Sequence, residues 1–147
     1  MKSLISSDKV PTAAGPYSPG LRVGEWIFLA GQGGFDPNTG KVVSNDMAEQ
    51  TEQTFKNIET ILEAAGASLD DVVSCLVHLV DLADFPAFNA IYAEKFMGVK
   101  PVRTTVRADL VAGLRVEITV IARASLRAKE SPPNEGFREG DCHHQVL

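Results

Sequence analysis

The chain has 147 residues, with 14 Lys and Arg against 19 Asp and Glu, a formal charge of -5 and 44% hydrophobic content. That length suits one domain with a sizeable core, and the aliphatic content excludes a wholly disordered chain. The longest clean apolar runs, such as residues 26–30, fall far short of a bilayer span, and the acidic balance opposes broad nucleic-acid binding, which needs a basic face to displace counterions.

The first residues carry no long apolar region and no small-residue cleavage site, so no secretory signal is expected. Residues 21–30 are rich in Val, Ile, Phe and Trp and are bounded by glycines. They predict a strand with a turn near Gly24-Glu25. Asp36-Pro37-Asn38-Thr39-Gly40 supplies Pro and Gly where a reversal needs them, and Val42-Val43 then predicts a short strand. The clearest helix covers 46–65. Met47, Thr51, Phe55, Ile58, Leu62 and Ala65 recur at steps of three and four, Asp46 with Glu49 fits a capping box, and Gly66 sits where a helix stops.

Residues 71–82 predict a strand, with Val73, Cys75, Val77 and Leu79 on one face and Ser74, Leu76, His78 and Val80 on the other. A second helix follows, capped by Asp84, with Pro86 in its first turn and Phe88, Ile91, Tyr92 and Phe96 as its packing stripe; Gly98 ends it. Residues 104–108 and 115–126 predict the last strands. The order of strands, helix, strand, helix, strands implies an α+β sandwich with two helices on one face of a mixed sheet. The sheet's other face is too apolar to stay wet, so oligomerisation is expected to bury it. From Arg127 onward apolar residues are sparse and no period survives, which predicts a domain over residues 1–126 and a flexible or loosely docked tail over 127–147.

Standard chemical motifs are mostly absent. Gly31-Gln32-Gly33-Gly34 lacks the register of a dinucleotide loop, since Asp36 occupies the last glycine position, and it reads as a flexible connection. Asp141-Cys142-His143-His144 carries metal-ligand types without the usual spacing, so no metal site is expected. The two cysteines, Cys75 and Cys142, make no disulfide framework; Cys75 reads as a small core residue and a reducing cytosol as the simplest compartment. His78, mid-strand, reads as a packed, hydrogen-bonded histidine whose face meets partner subunits. Two charged positions stand out. Arg103, at the start of a strand, offers a planar fork suited to a carboxylate. Glu117, beside an apolar wall, is placed to handle protons or position water. Spacing alone favours the plainer readings, a surface arginine and an edge-strand glutamate on a solvated face.

Several short motifs occur in one order: Gly15-Pro16-Tyr17-Ser18, Ala30-Gly31-Gln32, Gln50-Thr51-Glu52-Gln53 with Asn57, residues 63–73, Asp84-Phe85 with Asn89 and Tyr92, residues 101–106, and Val116-Glu117-Ile118. On these the chain resembles the RidA/YjgF family of reactive-intermediate deaminases, over roughly residues 4–124. The resemblance implies a chorismate-mutase-like fold: a six-stranded mixed sheet with two helices, assembled as a homotrimer around a central barrel, with clefts between subunits. It implies hydrolysis of enamines and imines, such as 2-aminoacrylate/2-iminopropanoate and 2-iminobutanoate, to 2-keto acids and ammonia, in the cytoplasm. It also implies no metal or organic cofactor; the acidic balance and the short apolar runs already lead us to expect no nucleic-acid or membrane partner.

By the same resemblance Arg103 grips the substrate carboxylate, Glu117 positions or activates water, and Tyr17 lies near the substrate. Gly31 gives a main-chain contact beside Ala30, and Asn89 and Thr105 line the cleft. Ala30 stands where many members have serine, and Thr105 where many have cysteine. A trimer that binds small carboxylates without turnover is the alternative reading, favoured by the hydroxyl missing at Ala30. Ribonuclease activity or translation inhibition is opposed by the negative charge and the lack of a basic aromatic surface.

Overall fold

The computed structural model describes residues 1–126. The expected flexible tail, with Cys142, His143 and His144, lies outside the described residues. Six strands form one sheet in the order β1-β2-β3-β6-β4-β5: β1 (Lys2–Leu4), β2 (Gly20–Val23), β3 (Trp26–Leu29), β4 (Val72–Leu79), β5 (Val102–Arg107) and β6 (Val116–Arg123). Every pairing is antiparallel except β4 with β5. A parallel pair needs a crossover, and α2 (Phe85–Lys95) provides it. This helix and α1 (Met47–Ala64) are the two helices, so the expected mixed α+β sheet is present.

The period of two in β6 decides the layering. Val116, Ile118, Val120 and Ala122 are all fully buried beneath the helices, together with Ile27, Val77 and Leu79. Phe55, Ile58 and Leu62 of α1 and Phe88 of α2 close the core from above, each fully buried. At about 1.5–3 kcal/mol per buried large side chain, this interface dominates the stability of the domain. Phe55 meets the rings of Tyr92 and Phe96 edge-on at 6.2 and 5.8 Å, joining the two helices. The opposite face of the sheet exposes Phe28, Leu76, Val102 and Val106, the apolar face that the alternation anticipates.

Several expectations need correction. Residues 21–30 are two strands, β2 and β3, paired across the Gly24 turn, where φ is +61°. The N-terminal β1, carried on residues with no apolar period, adds an edge strand that the sequence pattern does not show. Val42 makes only a single bridge, to Phe35. Val73 is exposed: the register of β4 against β6 slips between Val72 and Ser74, so Val72 takes the inward place. Asp46 accepts from the Glu49 amide at 2.9 Å, but its own amide donates to Ser44 Oγ, so the box is half formed. Asp84 makes no side-chain cap; its carboxylate accepts twice from Arg115 Nη2, at 2.9 and 3.1 Å. At its other end α1 is closed by Arg22, which donates to the Ala65 carbonyl at 2.6 Å.

The glycine stretch after β3 is pinned rather than flexible. Gln32 exchanges both backbone hydrogen bonds with Ile118, each at 2.9 Å. Asn57 Nδ2 donates to the carbonyls of Gly33 and Phe35 at 3.0 and 2.9 Å, and Gln53 holds Asn57 from the turn before. Gly34 lies against the backbone of Gln50, where a Cβ would come within 2.9 Å. Fully buried Gln50 then donates to the carbonyls of Ser44 and Gly113 and accepts from the Arg115 amide. These amides of α1 fix the loop behind the candidate site.

Candidate active site

Arg103 is the second residue of β5. Parallel pairing with Cys75 puts it on the helix side of the sheet. Its Nη1 donates to Asn89 Oδ1 of α2 at 2.8 Å, and its guanidinium lies over the Tyr92 ring at 4.6 Å and the Phe85 ring at 5.4 Å. The same turns of α2 thus orient the fork and supply π faces to the charge. Arg103 is half-buried, and no carboxylate pairs with it among the described residues, whereas Arg115 and Arg123 each have one. A charge withdrawn from water without an anion beside it is costly unless a ligand supplies the anion.

Thr105 follows two residues on, on the same face, and its Oγ1 is buried without a hydrogen bond. The Tyr92 hydroxyl is also buried without a well-formed hydrogen bond, with the Cys75 thiol as its polar neighbour. Burial pushes the Cys75 thiol up, against smaller downward pulls from Tyr92 and Arg103. Burial, reinforced by Cys75, pushes the Tyr92 hydroxyl up as well. Both stay protonated, so this wall presents neutral groups around one cation. Cys75 is the buried core residue that its apolar run indicates.

Glu117 stands elsewhere. It pairs with His78 across β4 and β6 and points to the face without helices. A Cβ added to Gly31 would fall 2.7 Å from Glu117 Cδ and 2.9 Å from its Oε2, so the carboxylate packs directly on the Gly31 backbone. His78 Nδ1 lies 3.7 Å from Glu117 Oε1 and makes no hydrogen bond, contrary to the expected hydrogen-bonded histidine. Ala30 leads into Gly31 and donates its amide to the Pro19 carbonyl at 3.0 Å. Tyr17 is 57% exposed. It borders a cleft of about 270 Å³ lined by Ile5, Val10, Pro11 and Pro19 among others.

One chain therefore gathers Arg103, Asn89 and Thr105 on the helix side, and Glu117 with Gly31 on the other. It does not bring the two groups together, and Tyr17 borders the cleft beside Pro19, whose carbonyl takes the Ala30 amide. His78 and the α1 amides Gln50, Gln53 and Asn57 were not among the expected site residues. The amides fall within quoted motifs, which is the signal that pointed to them. Among the described residues no group of three or more His, Cys, Asp or Glu side chains is arranged to hold a metal ion, and no helix is long and apolar enough to cross a membrane.

A RutC family protein of Saccharolobus solfataricus is 44% identical over 126 residues, covering 85% of this chain and all of that one. The mouse protein named 2-iminobutanoate/2-iminopropanoate deaminase is 41% identical over 123 residues, covering 83% and 91% of the two chains. The crystal structure of E. coli TdcF with bound serine superposes with a TM-score of 0.77 at 31% identity, covering 84% of this chain and 99% of that one. The family profile described as Endoribonuclease L-PSP matches residues 7–124, and with these relatives it establishes that the chain belongs to the RidA/YjgF family.

Proposed function

We propose that this chain is a subunit of a deaminase that hydrolyses 2-aminoacrylate/2-iminopropanoate and 2-iminobutanoate to 2-keto acids and ammonia. The observation that carries the reading is the half-buried Arg103 guanidinium, set by Asn89 and two aromatic rings, with no anionic partner in the described chain. A small imino acid has one fixed anionic handle. Gripping it as a fork leaves the C=N carbon in a defined direction. Glu117 takes a proton from water as the oxygen bonds to the carbon of the protonated imine, giving a neutral carbinolamine. Glu117 then returns that proton to the nitrogen, the C–N bond breaks, and the hydroxyl proton passes to the departing ammonia as the C=O of the keto acid forms.

Because Arg103 and Glu117 lie on opposite faces of one sheet, the reaction needs two protomers. A homotrimer of the chorismate-mutase-like type, with the exposed Phe28, Leu76 and Val106 face turned to a central barrel, meets that need and covers the apolar surface. Tyr17, Ala30 and Gly31 of one protomer then share a cleft with Arg103, Asn89 and Thr105 of the next. The deaminase name of the mouse relative and the serine bound to TdcF support a small amino-acid-like carboxylate as the ligand. The buried, free Cys75 suits a reducing cytoplasm.

The test couples the protein to a threonine dehydratase while semicarbazide competes for the released imine. Added protein should accelerate ketobutyrate formation, and Arg103→Ala should abolish the gain. An undiminished gain in that variant overturns the assignment. Ala30, without the serine hydroxyl common in the family, favours one rival, a carboxylate-binding trimer without turnover. Calorimetric binding of a 2-keto acid with no deamination selects that rival.

A further inference from the structure

Among the described residues one titratable side chain lies directly across from Glu117, and Arg115, two residues before it, is engaged with Asp84 and the Asn45 carbonyl. On β4, His78 is its cross-strand partner; on β5, the residue beside His78 is Val106. Along β4 the imidazole is flanked on the same face by Leu76 and, just past the strand end, Val80, and the register sets Thr119 and Thr104 on either side of Leu76. The geometry divides the carboxylate. Oε1 is the atom 3.7 Å from His78 Nδ1. Oε2 lies on the other side, against the Gly31 backbone. His78 Nδ1 is itself buried and has no hydrogen-bond partner among the described residues, although the His78 side chain as a whole is 23% exposed.

We propose that His78 is a positioning residue for Glu117: its Nδ1 engages Oε1 and leaves Oε2 directed at the reacting water beside Gly31. This rests on the deaminase reading above. At 3.7 Å the two groups face each other but are not yet hydrogen-bonded, so the contact tightens by a small rotation of either side chain. A carboxylate with one oxygen held presents the other in a fixed direction, which is what proton abstraction from an oriented water requires. His78 does not meet the substrate, so its loss lowers kcat and leaves KM in place.

The experiment has two arms. The first follows the two imidazole nitrogens of His78 by NMR at one pH, in a chain carrying His143→Gln and His144→Gln so that one of the 3 histidines remains. Glu117→Ala should move the Nδ1 resonance, because the carboxylate oxygen facing that nitrogen is gone. The second arm measures kcat and KM. His78→Phe should lower kcat about tenfold, with KM unchanged. His78→Asn, which restores a neutral N–H near the Nδ1 position, should recover most of the kcat.

An unmoved Nδ1 resonance in Glu117→Ala overturns the pairing while leaving the deaminase reading intact. Wild-type kcat in His78→Phe, or no recovery in His78→Asn, overturns the positioning role. A wild-type protein that deaminates nothing, with the resonance still moved by Glu117→Ala, overturns the proposed function and the role assigned within it.

Discussion

Gly31→Ala isolates the placement of Glu117 from its chemistry. Gly31 is not among the glycines with positive φ, so alanine fits the backbone at this position. The added Cβ would lie 2.7 Å from Glu117 Cδ and 3.0 Å from Cγ, where ordinary contact begins at 3.4 Å. The carboxylate must therefore retreat by roughly 0.7 Å, the overlap that carbon repulsion forbids. A displacement of about 1 Å of a reacting group costs about 100-fold, so kcat should fall by about ten- to a hundredfold. The carboxylate is the far end of a flexible side chain that is 31% exposed. Stability should accordingly drop by less than about 1 kcal/mol. The coupled dehydratase and semicarbazide assay, run on Gly31→Ala, Glu117→Ala and the double variant, separates the effects. The double variant should be no slower than Glu117→Ala, because the methyl acts only through the carboxylate it displaces. Unchanged kcat in Gly31→Ala, or fully additive losses, would refute this reasoning.

Two further outcomes follow from the core. Gln50→Ala strands two carbonyls and the Arg115 amide in a fully buried site, so urea unfolding at fixed protein concentration should show a loss of about 3–5 kcal/mol; a loss under about 1 kcal/mol would mean that water replaces the amide. Because burial raises the Cys75 thiol, the folded chain keeps that proton after the unfolded chain releases it near pH 8.5. Stability should then fall as pH climbs past about 8.5, by up to about 1.4 kcal/mol per unit, with Tyr92 adding a second loss above about pH 10. Below about pH 8.5 both states keep the thiol proton and the contribution vanishes. Urea midpoints at about pH 7.5 and 9.5 check this, and Cys75→Ala should flatten the first part of the fall.

Much of this arrangement was legible because local periods report burial. The stripe from Met47 to Leu62 and the alternation from Val116 to Val120 are carried by adjacent residues that share one environment. What escaped is what adjacency cannot report. The slip at Val73 exists only relative to β6, and Asp84 forsakes its own helix for Arg115, far along the chain. Gln50 looks like a surface residue by composition, yet it is fully buried because three backbone groups from distant loops converge on it. Asn89 and Arg103, from two separate motifs, are joined by a hydrogen bond of 2.8 Å. Opposition of Arg103 and Glu117 across the sheet was invisible, since strand parity relates residues of different strands only after the pairing is known.

The lone parallel ladder also bears on how the polypeptide acquires its shape. The β2–β3 hairpin closes within a few residues and can form early. Strand β5 can dock beside β4 only after the intervening helix has traversed the sheet, which means closing a long excursion before any ladder bond repays the lost freedom. The edge that carries Arg103 therefore waits on α2, and β6, which follows it in the chain, brings Glu117 later still; a stalled chain ending before β5 would hold the glycine turn at Gly31 with neither charged residue in place.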